Sequence, residues 1–128
     1  MSRKIAVFLL LLVFCAAAGA GEREYYVRMS LSLKVQATTV ETLESWIRAT
    51  HKDATRTTSG LVLQSVGTSK REYPNDRKAL GCCVLSTKKV PISQILSLYS
   101  ALLDIQDQPG VAEVCHVVLR LSATEPIH

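Results

Sequence analysis

Between Tyr25 and Val35 the chain reads Tyr-Tyr-Val-Arg-Met-Ser-Leu-Ser-Leu-Lys-Val, so that every second residue is large and apolar. A period of two puts Tyr25, Val27, Met29, Leu31, Leu33 and Val35 on one face of a β-strand, whereas a helix would scatter them around its circumference. One side of such a strand needs a cover, and its edges need partners. The other side carries Tyr26, Arg28, Ser30, Ser32 and Lys34 and is expected to form the polar face of a sheet.

Ahead of this strand, Arg3 and Lys4 precede an apolar run from Ile5 to Phe14 and a small-residue end at Ala18-Gly19-Ala20. These are the three parts of a cleaved secretory signal peptide, and the apolar run falls short of the ~20 residues of a membrane span. Residues 1–20 are therefore expected to be removed, giving a secreted or periplasmic protein with no stable membrane span. Phe14 before Cys15 does not suit a lipoprotein signal. The remaining residues 21–128 fit one domain. Of the fifteen basic and eleven acidic residues, two basic ones lie in the leader, so the processed net charge falls from +4 to +2. That near balance argues against a nucleic-acid partner.

The rest of the chain supplies cover and neighbours in a definite order. Thr38-x-x-Glu41 has the form of a capping box, and Val40, Leu43, Trp46 and Ile47 follow at helical spacing, which predicts a helix from about Thr39 to Lys52. Leu61–Val66 is a candidate strand. The charged stretch Gly67–Lys78 carries Tyr73-Pro74-Asn75-Asp76 and predicts a hairpin with a long tip. Ala79–Thr87 is the third strand. Pro91 then suits a first helical turn, followed by a stripe of Ile92, Ile95, Leu96, Tyr99, Leu102 and Leu103 that ends before Pro109-Gly110. The last strand, Val111–Leu121, is expected to place Cys115, Val117, Leu119 and Leu121 on its apolar face, opposite His116 and Arg120. The resulting order βαββαβ predicts an α+β, ferredoxin-like sandwich: a four-stranded antiparallel sheet in the order fourth-first-third-second, with two helices on one face.

The helix-free face is the candidate binding surface, with Arg28, Ser30, Ser32, Lys34, His116 and Arg120 on it. Alternation places no carboxylate there, so His116 has no partner to orient it as a catalytic base, and no catalytic residue is predicted. Cys82, Cys83 and Cys115 are expected to be free thiols, because the third and fourth strands lie on opposite sides of the first, about 9.5 Å apart, beyond the ~7 Å reach of a disulfide. Cys115 is expected to be buried, and one of Cys82 and Cys83 to lie on the open face and react first. Adjacent cysteines in a strand point to opposite faces and match no common zinc spacing, so neither metal nor cofactor is called for.

The octet Asp107-Gln108-Pro109-Gly110-Val111-Ala112-Glu113-Val114, following an amphipathic helix and leading a final strand, resembles the end of the inhibitor-like prodomains of subtilisin-type proteases. That resemblance implies a sheet face that docks on a protease and a tail, here Ser122 to His128, that enters its active site. A last strand running on through Leu121 departs from the family pattern. Three functions follow: a small exported module that binds a protein through its open face, a protease inhibitor or prodomain-like chaperone, or a small dimeric enzyme using His116 in a cleft made by two open faces. Expressed with a C-terminal tag in its own host, the precursor should be exported and lose about twenty residues. N-terminal sequencing checks this, and a product still beginning at Met1 would contradict it.

Overall fold

The computed structural model describes residues 22–124, with the backbone alone for residues 70–72; the proposed signal peptide, Cys15 and the end of the proposed tail lie outside these. The strand read from Tyr25 spans Glu24–Gln36 (β1) and sits in the middle of the sheet. Val27, Met29, Leu31, Leu33 and Val35 are all buried, each contributing roughly 1.5–3 kcal/mol of transfer free energy. β2 (Leu61–Tyr73), β3 (Arg77–Ser86) and β5 (Val111–Ser122) complete the order β5-β1-β3-β2, with every neighbouring pair antiparallel. A two-residue strand, β4 (Val90–Pro91), pairs with Glu24 and Tyr25 at the start of β1. With two helices packed against one side of the sheet, the fold is the ferredoxin-like α+β sandwich the element order implies.

Helix α1 spans Val40–Ala54 and buries Leu43 and Ile47; α2 spans Ile92–Leu103 and buries Ile92, Ile95, Leu98 and Leu102. A short 3-10 turn, Asp104–Asp107, continues α2 and buries Ile105. Trp46 and Tyr99 pack half-buried against this core. Leu98, outside the expected stripe, is fully buried, while Leu96 and Tyr99 sit at its margin.

Three local expectations are corrected. The capping box at Thr38 does not form, because Ala37–Thr39 closes a 3-10 turn first and the Thr39 hydroxyl donates to the Gln36 carbonyl at 2.7 Å. Pro91 does not open the first helical turn: it pairs with Glu24 in extended backbone as the residue before α2. The hairpin tip is short, not long. Polar residues after Gly67 stay in β2, where the pairing with β3 shifts register between Thr68↔Leu80 and Glu72↔Lys78 and ends at Tyr73↔Arg77, leaving Pro74–Asp76 as the turn, where Asn75 and Asp76 both take positive φ. Asn and Asp tolerate that conformation better than other non-glycine residues.

The far end of β1 is held by its neighbours. Gln36 N–H donates to the Gly110 carbonyl and Ala37 N–H to the Asp76 carbonyl, both at 2.8 Å. Gly110 has φ +94°, and a Cβ there would run into the Thr39 side chain. Gly110→Ala should therefore destabilise the protein by about 1–3 kcal/mol, measured by urea unfolding. A loss within a few tenths of zero would mean that this junction is not strained by a side chain.

Candidate functional site

The face away from the helices follows from the strand registers. Four successive rows make up its middle, each read from β5 through β1 to β3 and β2. Arg120 stands opposite Arg28, which faces Leu85 and then Val62. Next come Val118, Ser30, Cys83 and Ser65; then His116, Ser32, Gly81 and Gly67. The last row is Glu113, Lys34 and Ala79. All six residues read from the sequence as a binding surface, Arg28, Ser30, Ser32, Lys34, His116 and Arg120, lie on this face.

Small side chains make the middle rows low. Ser30, Ser32, Ser65, Gly67, Gly81 and Cys83 line an open hollow of about 430 Å³, bounded on one side by the Arg28–Leu85–Val62 row. A Cβ at Gly81 would come within 3.2 Å of the Leu31 carbonyl, so glycine here lets β1 and β3 approach closely and keeps the hollow floor flat.

The cations on this face differ in their surroundings. Lys34 Nζ lies 3.8 Å from a Glu113 carboxylate oxygen and 4.6 Å from the centre of the Tyr73 ring, two favourable contacts at modest exposure. Glu113 thus supplies a carboxylate where alternation placed none. Arg28 and Arg120 have no such partner: among the described residues neither makes an ion pair or a side-chain hydrogen bond, and they face each other directly across β1 and β5. Like charges in directly opposed positions are unfavourable.

Glu113 reaches the open face because of the bulge at Cys115, one of two in β5. Its pairing passes from Ser32↔His116 to Leu33↔Val114 and from Lys34↔Glu113 to Val35↔Val111, leaving Cys115 and Ala112 as the extra residues. Each bulge resets the alternation. Val114 and Val111 take the core-facing positions, and Cys115, expected to be buried beside Val117 and Leu119, is exposed. The signal was present: Val111, Val114 and Val117 recur at intervals of three, a spacing that a regular strand cannot place on one face.

The three described cysteines are free thiols. Cys82 opposes Leu31 in the core, where burial and then the charge of neighbouring Cys83 push its thiol up from 9.0 to about 11. Cys83 lies half-buried in the hollow. β1 separates the cysteines of β3 from Cys115 in β5. The same separation keeps Cys83 from His116, so one chain does not assemble them into a nucleophile–base pair. Among the described residues no group of three or more His, Cys, Asp or Glu side chains could hold a metal ion. Nor is any described helix long and apolar enough to cross a membrane.

No protein-family model and no curated protein matches the chain. Among solved structures, the chain is similar to the C-terminal domain of the MgtC protein from Mycobacterium tuberculosis, at a TM-score of 0.41 and 16% identity, over 81% of this chain and 94% of that one.

Alkylation of the reduced native protein near pH 8 should modify Cys115 first, Cys83 more slowly and Cys82 only on unfolding, since the reactive species is an accessible thiolate. Peptide mass mapping after timed quenching reads the order. Rapid native labelling of Cys82 would contradict the buried position of its strand face.

Proposed function

We propose that the chain is a small exported module that binds a protein partner through the helix-free face of its sheet. The observation that carries this reading is the contrast between the two faces. One side of β1 is buried under α1 and α2, while the other carries a broad hollow floored by serine and glycine, beside Arg28 and Arg120, which have no ion-pair partner among the described residues. Small residues let another backbone approach the sheet, and the surrounding larger side chains supply the contacts that distinguish one partner from another.

Ser32 is exposed near the centre of this face, between His116 and Gly81. Ser32→Trp would fill the hollow without disturbing the helix-covered core. Affinity capture from the exported fraction of the native host should recover a partner with the wild-type chain and lose it with Ser32→Trp, at unchanged circular dichroism. Equal recovery by the two proteins would remove the open face as the binding surface.

A further inference from the structure

We propose that Arg28 and Arg120 form a clamp for a carboxylate, and that its occupant is an extended acidic segment of a partner protein whose neighbouring apolar side chain rests on Leu85 and Val62. This rests on the open-face reading above and adds the chemistry of the partner.

The first observation is electrostatic. Arg28 and Arg120 are a directly opposed cross-strand pair, with Cβ atoms about 5 Å apart at such positions. Neither has a counter-charge or a side-chain hydrogen-bond acceptor among the described residues. The face is able to neutralise a cation, as Lys34 shows with Glu113 and Tyr73. At the Arg pair no such group is provided among the described residues, and their opposed positions put both guanidinium groups within reach of one carboxylate above the sheet. A carboxylate placed there accepts charge-assisted hydrogen bonds from both and removes their repulsion.

The second observation is the rest of the same row. Leu85 follows Arg28 on β3, and Val62 follows on β2, 46% exposed and one of only two large apolar side chains so exposed among the described residues. Strand spacing puts Leu85 roughly 7 Å and Val62 roughly 12 Å from the midpoint of the arginines. Side chains on one face of an extended peptide recur about every 7 Å, so those two and four residues beyond the acidic one reach this apolar ground, whereas a free carboxylate or inorganic anion covers only the cationic end. The third observation is the hollow beside the row, which leaves room for a peptide backbone next to Ser30, Cys83 and Ser65. A second copy of this chain is a poor occupant, because stacking two open faces would bring together two sets of Arg28, Arg120 and Lys34 with only one Glu113 each.

The test is an NMR titration of the labelled full chain, following the arginine Nε–H signals, the Val62 methyls and the backbone amides. The probes are an end-capped peptide of repeating Glu-Ser-Val-Ser, which puts Glu and Val on one face of an extended chain, the matching Lys-Ser-Val-Ser peptide, and acetate at equal carboxylate concentration. The Glu peptide should shift Arg28, Arg120 and Val62 together, and R28Q/R120Q should weaken its binding about tenfold, in keeping with loss of charge-assisted hydrogen bonds. The Lys peptide and acetate should shift these signals little. Acetate acting as well as the Glu peptide would overturn the peptide as occupant, and the Lys peptide doing so would overturn the clamp. Shifts at Ser32 and Gly67 without any at the arginines would overturn the clamp and leave the open-face reading standing. No shift anywhere would overturn the clamp, with the open-face reading then decided by Ser32→Trp capture. In the absence of ligand, R120Q should melt roughly 1–5 °C higher than wild type, since it relieves an opposed like-charge pair. A lower melting temperature would mean that the pair serves the fold.

Discussion

Burial of one side of β1 is the constraint on which the remaining elements depend. Five alternate residues from Val27 to Val35 lose their water at once, and that is possible only if two helices lie across the same side and strands close both edges. The edge strands then inherit their facing from β1. Leu80, Cys82 and Val84 of β3 are core residues because they stand opposite Leu33, Leu31 and Met29. The open face is the complement of this arrangement, since each residue added to the core by alternation sends its neighbour to the other side.

The parts of the fold legible in the sequence were those where one periodicity acts alone. β1 and α2 carry uninterrupted patterns, and the order of elements leaves few ways to arrange the strands. The hairpin was harder to see because the far half of β2 is polar and charged, a composition as acceptable in a loop as in a strand. Pairing with Arg77 and Lys78 holds Glu72 and Tyr73 in the ladder, an interaction that composition does not report. Arg28, Ser32 and His116 were readable as open-face residues from β1 and the upper part of β5. Glu113 and the Leu85–Val62 surface were not, since they depend on bulges and on the register of a strand with weak alternation.

The open face shows two ways of living with positive charge. Lys34 is accommodated by the protein's own groups on that face, between a carboxylate and an aromatic ring, and gives up some freedom for it. Arg28 and Arg120 are held next to each other by backbone pairing that neither side chain helps to stabilise. Folding positions them because burial of Val27 and Met29, the core residues on either side of Arg28, fixes the strand in register with β5. Their mutual repulsion is small beside that burial, so the fold tolerates it.

The bulges at Ala112 and Cys115 bear on how the length of this chain can change. A single residue lost from a regular part of β5 would turn every position beyond it over, sending core side chains into water. Loss of Cys115 would do nothing of the kind: Val114 would still meet Leu33, His116 would still meet Ser32, and that one bulge would simply close. The two bulges are therefore the points in an otherwise phase-locked strand where a codon can come or go without changing which side of the sheet any other residue occupies.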